Sequence, residues 1–194
     1  GMQALEKTVD YIRSNYPEQF LIADAKRGDI GNTAKMYAKT FFETMDFDAV
    51  TISPYMGSET VTPFLEYPGK FAIVVALSSN KSSADFQMAE QDGKPLYQVV
   101  MEKMMSISTP DNMMFVVGAT KADKLAEIRK FCPDNFFLVP GVGAQGGSAE
   151  EVIAHGANAL GGLLINSSRG IIYASNGEDF AEAAGIAAAR TANL

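Results

Sequence analysis

Two residue types are nearly missing from this sequence. Cysteine and histidine occur once each, as Cys132 and His155. A single cysteine excludes an internal disulfide framework and fits a reducing compartment, so we expect a cytoplasmic protein with Cys132 as a small core residue. Too few nitrogen and sulfur ligands remain for a typical zinc site, and no serine–histidine–aspartate set is indicated. We therefore expect a protein without a metal centre.

Long hydrophobic runs and an excess of positive charge are also lacking. No run reaches the roughly 18 apolar residues of a membrane span, and no signal peptide opens the chain. Acidic residues outnumber basic ones by 23 to 16, which gives a net charge of −7. This balance argues against nucleic acids and anionic membranes as partners. A small anionic ligand is still compatible with it, because a site can be locally positive.

What the chain does contain is a regular alternation of helical and extended patterns, without a linker or a low-complexity segment, so we expect one domain, 1–194. The predicted strands are 19–24, 48–53, 71–77, 113–117, 136–139 and 162–165. Helices are predicted at 4–15, 60–66, 96–106, 121–131, 150–155 and 178–191, and a further helix is predicted to begin at a cap formed by Asn32 or Thr33. The stretch 78–95 is expected to be an irregular loop.

Alternation of this kind favours parallel strands joined by crossover helices. The run FAIVVAL at 71–77 is continuously apolar, which is typical of a parallel strand buried on both faces. Six strands suit a doubly wound sheet. A (β/α)8 barrel needs eight, so a barrel would lack its first two βα units.

The charged stretch at 21–34, LIADAKRGDIGNTA, is the first candidate site. Asp24, Lys26 and Asp29 follow a predicted buried strand, and charges at such a position need partners or a function. On an extended strand Asp24 and Lys26 point to the same side. A lysine among carboxylates stays protonated and can act as a general acid. The spacing alone leaves a salt-bridged strand end equally open.

Two loops after the last two predicted strands are suited to an anion. The loop PGVGAQGG at 140–147 can point backbone N–H groups inward ahead of a helix that starts near Ser148. The loop NSSRG at 166–170 offers Arg169 as a fork for phosphate. Each loop alone can be read as an ordinary turn. A phosphate site after strands seven and eight recurs in (β/α)8 barrels, so together they favour a barrel that lacks its first two units.

The signature Asp24-x-Lys26-x-x-Asp29-Ile30-x-x-Thr33 resembles that of the orotidine 5′-monophosphate decarboxylase family. SPYMG at 53–57, PGVGAQGG and NSSRGIIYA at later strand ends resemble its longer bacterial branch. The resemblance implies a (β/α)8-barrel homodimer that converts orotidine monophosphate to UMP in pyrimidine biosynthesis without metal or organic cofactor.

The resemblance also implies a role for each matching residue. Lys26 would protonate C6 of the pyrimidine as CO2 leaves, with Asp24 beside the substrate carboxylate. Asp29, Ile30 and Thr33 would reach across the dimer into the partner's site. The remaining positions implied in substrate binding are Ser78 or Ser79 at the pyrimidine, and Gln145, Gly146, Arg169 and Gly170 at the phosphate.

One part of the family pattern has no counterpart here. The family carries an aspartate on its first strand and a lysine on its second, and nothing upstream of Asp24 can be either strand, since Lys7 lies in a predicted helix. The chain thus supplies about six βα units, and we expect it to be inactive alone but the complete gene product to be active. Two alternatives stay open: a related, metal-using sugar-phosphate decarboxylase, and a non-catalytic remnant that binds phosphate.

Overall fold

The computed structural model describes residues 1–119, 122–142 and 148–192. The strands are β1 Ile22–Arg27, β2 Ala49–Ile52, β3 Phe71–Leu77, β4 Glu90–Gln91, β5 Lys94–Pro95, β6 Met113–Val117, β7 Phe137–Pro140 and β8 Leu163–Asn166. The α-helices are α1 Met2–Asn15, α2 Gly31–Lys39, α3 Thr62–Leu65, α4 Leu96–Met105, α5 Ala122–Phe131, α6 Ala149–Gly156, α7 Arg169–Ile172 and α8 Phe180–Ala192. Short 3-10 turns span Ser58–Thr60 and Lys81–Asp85, and a π-helical turn, Thr40–Thr44, extends α2.

Six of these strands form one sheet within the described residues, in the order β1-β2-β3-β6-β7-β8. The pairs β1–β2, β2–β3, β6–β7 and β7–β8 are all parallel. Every residue of β2 and of β6 is buried, as expected for strands covered on both faces. The six predicted strands and the parallel α/β class are thereby confirmed.

Two local predictions were wrong. Neither Asn32 nor Thr33 caps α2, which begins at Gly31 with Ile30 in the N-cap position and no side-chain capping bond. Gly31 has a φ of +57°, and only glycine adopts this left-handed conformation at little cost. The stretch 78–95 is not irregular throughout, because it contains a 3-10 turn and the small antiparallel hairpin β4–β5.

The chain divides into two compact units, Gly1–Val75 with Glu102–Met114, and Ala76–Met101 with Phe115–Leu194. In the first unit α1 is fixed by Arg13, whose guanidinium lies 2.8 Å from Asp48 Oδ2. The same carboxylate oxygen accepts a 2.7 Å hydrogen bond from the Leu21 N–H. The pair therefore sets where the chain enters β1. The core of this unit includes Val50, Ile52, Val61 and Phe64, all at most 1% exposed.

The second unit has its own apolar core. Phe115, Leu125, Ile128, Phe137 and Val152 are fully buried there. By contrast, no side chain of α8 is buried. The prediction of a single domain, 1–194, stays a prediction. No described helix is both long and apolar enough to cross a membrane.

Candidate active site

An acid–base pair stands at the carboxyl end of β1. Lys26 Nζ lies 2.5 Å from Asp24 Oδ1, so the prediction that the two side chains share one side of the strand is confirmed. The two side chains are 56% and 61% exposed. Ion pairs as exposed as this contribute little to stability. The pair is therefore better explained by chemistry than by folding.

The backbone beneath this pair is irregular. Ala23 pairs with Val50 and Arg27 with Ile52, so three residues of β1 stand opposite the single residue Thr51 of β2. Within this bulge Lys26 has a φ of +44°, a left-handed conformation that is costly for a residue with a side chain. Bulges of this type re-aim side chains and are over-represented next to active sites.

The buried Thr51 connects both members of the pair. Its hydroxyl accepts a 2.9 Å hydrogen bond from the Lys26 N–H and lies 3.0 Å from Asp24 Oδ1, to which it donates. Sequence reasoning missed this residue. The available signal was a threonine inside the otherwise apolar buried run AVTI.

Arg27, the other cation of the stretch, contacts two aromatic rings. Its guanidinium carbon lies 5.2 Å from the ring centre of Tyr37 and 5.6 Å from that of Phe41. Contacts of this kind are cation–π interactions. Arg27 thus packs β1 against the helix that follows, and the predicted catalytic roles of Asp24 and Lys26 stay predictions.

The other signature residues of this unit lie just beyond β1. The Asp29 carboxylate accepts a 2.8 Å hydrogen bond from the Ile30 N–H, whereas Lys26 pairs with Asp24. Ile30 is 46% exposed, and Thr33 is an exposed residue in the first turn of α2. Their predicted contribution to a partner's site stays a prediction.

In the second unit, Ser78 and Ser79 follow the carboxyl end of β3. Gln87 holds Ser78 at two points, because its Oε1 accepts the Ser78 N–H at 2.8 Å and its Nε2 donates to Ser78 Oγ at 2.9 Å. A Cβ on Gly118 would lie 2.7 Å from the Ser79 backbone, so a glycine is needed there. Gln87 thus orients Ser78, and the predicted contact of Ser78 or Ser79 with a pyrimidine stays a prediction.

Of the predicted phosphate residues, Gln145 and Gly146 lie outside the described residues. The helix expected near Ser148 is present, since α6 begins at Ala149 with Ser148 as its N-cap. Arg169 is the exposed first residue of α7, and Gly170 follows it. Among the described residues, the Arg169 guanidinium has no hydrogen-bond or ion-pair partner. Its predicted contact with a phosphate stays a prediction.

Nucleophilic and metal chemistry gain no support from the described residues. Cys132 is fully buried and donates a hydrogen bond to Asn135 Oδ1 at 3.3 Å. Burial raises the pKa of its thiol to about 11, so it stays protonated at neutral pH. No described group of three or more His, Cys, Asp or Glu residues is placed to hold a metal ion.

Parallel strands with charged side chains at their carboxyl ends define a class, the α/β enzymes that place their chemistry at strand ends. The comparisons specify the family. A sequence model of the "Orotidine 5'-phosphate decarboxylase / HUMPS family" matches residues 2–184. The chain therefore belongs to this family.

Named relatives agree with this assignment. The chain is 57% identical over 186 residues to the orotidine 5′-phosphate decarboxylase of Phocaeicola vulgatus, a match that covers 95% of the chain and 68% of the relative. It is also 57% identical over 189 residues to that of Bacteroides fragilis, covering 97% and 69%. The chain thus spans about two thirds of the length of these relatives.

A solved structure shares the fold. The structure of Leishmania donovani OMP decarboxylase matches with a TM-score of 0.81 and 36% identity, covering 95% of this chain and 70% of that one. The strand count allowed either a doubly wound sheet or a (β/α)8 barrel. The similarity to this family confirms the barrel.

Proposed function

We propose that this chain carries the acid–base pair of a carboxy-lyase that decarboxylates orotidine 5′-monophosphate to UMP in pyrimidine biosynthesis. The observation that carries the proposal is the contact between Lys26 Nζ and Asp24 Oδ1 at the end of β1. It lies inside the D-x-K-x-x-D-I-x-x-T signature of a chain 57% identical to named decarboxylases.

The proposed reaction uses the two charges in sequence. The bond between C6 and the substrate carboxylate breaks, CO2 leaves, and the electron pair remains on C6. The Lys26 ammonium donates a proton to C6, which completes UMP, and water later reprotonates the amine. Asp24, placed beside the substrate carboxylate, would repel it in the ground state and hold the Lys26 ammonium in position.

Residues that match the family's binding positions would hold the rest of the substrate. The Arg169 guanidinium, which has no partner among the described residues, suits the phosphate together with the Gly170 N–H, and the resemblance assigns Gln145 and Gly146 to the same group. Ser78, oriented by Gln87, suits the polar edge of the pyrimidine. Phosphate binding remote from C6 can supply energy that is used at the reacting centre.

We also propose a cytoplasmic homodimer in which Asp29, Ile30 and Thr33 serve the partner's site. The surface around these residues supports a protein interface. Ile30, Met36, Tyr55 and Met56 of the first unit are between 46% and 84% exposed. Exposed large apolar side chains that form a contiguous patch mark protein–protein contacts, and these four are candidates for such a patch. A buried free thiol at Cys132 fits a reducing compartment.

The test is a decarboxylation assay on the gene product that contains this chain, as wild type and as Lys26→Ala. We expect Lys26→Ala to lower kcat by at least about 1000-fold, because no other group would supply the proton at C6. The matched control is Lys124→Ala, which removes a partly exposed lysine that is likewise paired with a carboxylate, Glu127, at 2.7 Å. Near-normal turnover by Lys26→Ala would show that the proton comes from elsewhere.

Two further measurements separate the alternatives. A sugar-phosphate decarboxylase would lose activity in a chelator, whereas the proposed reaction would not. A calorimetric titration with UMP distinguishes an enzyme from a remnant, since folded protein that does not bind UMP would contradict a nucleotide site. The 194-residue chain, assayed beside the gene product, tests the expectation that it is inactive alone.

A further inference from the structure

The buried hydroxyl of Thr51 is the one polar group inside the run AVTI, and its two hydrogen bonds lead to the two catalytic candidates. Thr51 is 0% exposed, and a hydroxyl buried among apolar side chains is unfavourable unless it is hydrogen-bonded. Here it uses both its accepting and its donating capacity, toward the Lys26 N–H at 2.9 Å and Asp24 Oδ1 at 3.0 Å. Ala23 O, at 3.5 Å, is the more distant of its two acceptors.

The position of Thr51 in the sheet explains why a hydroxyl is needed. The register shift interrupts the pairing of β1 with β2 between Ala23 and Arg27, and Lys26 lies inside this interruption. There the Lys26 N–H donates to the Thr51 hydroxyl. The hydroxyl thereby supports the left-handed conformation of Lys26, with φ at +44°.

The contact between Asp24 and Lys26 cannot provide this support itself. Both side chains are more than half exposed, so water and salt weaken their attraction and leave their rotamers free. Thr51 is the buried contact that is common to both residues. A side chain whose rotamer is locked by packing is what a precisely placed pair of charges requires.

We propose that Thr51 is a positioning residue, which orients the Asp24 carboxylate and holds the bulge that presents Lys26. This inference rests on the proposed function for its kinetic part only. Thr51→Val keeps the shape and the β-branching but removes the hydroxyl, while Thr51→Ser keeps the hydroxyl. The matched control is Thr60→Val, because Thr60 is also buried and its hydroxyl has no hydrogen-bond partner in the described structure.

The first experiment needs no activity. Amide hydrogen exchange is measured at Lys26 in the 194-residue chain by NMR. We expect Thr51→Val to speed exchange at the Lys26 N–H by about tenfold or more, because this N–H loses its acceptor. Thr51→Ser and Thr60→Val should exchange there like the wild type. Unchanged protection in Thr51→Val would overturn the proposal.

The second experiment measures decarboxylation by the gene product. We expect Thr51→Val to lower kcat by about 10- to 100-fold with KM within about threefold of the wild type, because misplacement by an ångström can have an effect of this size. Thr51→Ser should restore kcat to within about threefold, which a merely structural role would not predict. Equal kcat values for Thr51→Val and Thr60→Val would overturn the role in the reaction.

Failure of the proposed function and failure of a variant to fold can each be told apart from failure of the Thr51 proposal. If the wild type does not decarboxylate the nucleotide, the proposed function fails, and the exchange experiment alone decides whether Thr51 holds the bulge. If Thr51→Val does not fold cooperatively, Thr51→Ala replaces it in both experiments with the same expected directions.

Discussion

At the scale of single residues, Arg129 donates to more backbone carbonyls than any other side chain in the described part of the chain. Its guanidinium donates to the carbonyls of Gly156 and Asn135 at 2.8 Å and of Gly162 at 3.0 Å. It also donates to two further carbonyls in the turn after α5, and its guanidinium carbon lies 3.7 Å from the ring centre of Phe137. Burial lowers the pKa of Arg129. An arginine nevertheless stays charged, and here the carbonyl dipoles stabilise the charge.

Replacing Arg129 should strongly destabilise the second unit. Arg129→Ala removes one donor from each of five carbonyls, of which those of Gly162 and Pro133 keep another. We therefore expect the free energy of unfolding in urea to fall by about 3 kcal/mol or more. Arg129→Lys should recover only part of this, because an ammonium cannot reproduce the planar fork. The control is Arg190→Ala, which removes an exposed arginine and should change the free energy of unfolding by no more than about 0.5 kcal/mol. An equally small loss in Arg129→Ala would contradict the role of Arg129 as a donor to backbone carbonyls.

Sequence reasoning reached the charged residues of the site but not the residues that hold them. Asp24 and Lys26 are recognisable because charges are unusual at the end of an apolar strand. Thr51 meets a backbone N–H about 25 residues away, and Arg129 meets the carbonyls of Gly156 and Gly162, 27 and 33 residues away. Nothing in their local patterns shows which of these groups they meet. Their roles depend on strand pairing and on the packing of α5 against α6.

At the scale of elements, the sequence predicted which segments are helices and which are strands better than it predicted their first and last residues. The first strand was expected at 19–24 but spans Ile22–Arg27, because its pairing with β2 begins at Ile22 opposite Ala49 and continues past the bulge. Periodicity reports which residues are apolar, not where a partner strand begins. By contrast, α6 begins within one residue of its expected start, since Ser148 and Glu151 form a capping signal that is visible in the sequence.

The cap of α6 can be tested directly. Ser148 Oγ accepts a 3.3 Å hydrogen bond from the Glu151 N–H, one of the helix donors that lacks an intrahelical acceptor. We expect Ser148→Ala to lower the free energy of unfolding by about 1 kcal/mol, measured by urea denaturation. Ser148→Asn should be close to neutral, because asparagine caps helices as well as serine does. Equal stability of the alanine and asparagine variants would show that the cap contributes nothing.

At the scale of the whole molecule, the proposed dimer makes each site depend on two subunits. If Asp29 serves the partner's site and Lys26 its own, a heterodimer of two inactive variants contains one intact site. Mixing Lys26→Ala with Asp29→Ala subunits under exchange conditions should therefore restore about a quarter of the wild-type activity, since half of the random dimers are heterodimers.

The control for this experiment is a mixture of Lys26→Ala and Asp24→Ala. These residues belong to one strand of one subunit, 2.5 Å apart, so neither site of the heterodimer is intact and no activity should return. Recovery in this mixture, or none in the first despite proven heterodimers, would contradict a shared site. Heterodimer formation is checked with two affinity tags of different size.

The amino-acid sequence by itself determined the class of fold and the chemical character of the site. Alternating apolar runs and helical periods are local properties, so six parallel strands could be inferred from them, and the signature around Lys26 indicated the reaction. Only the tertiary structure decided how Lys26 is presented. The bulge, the left-handed Lys26 and the hydroxyl of Thr51 depend on the register between two strands that are about 25 residues apart in the chain. Register is a property of the pair of strands, and no single stretch of sequence contains it.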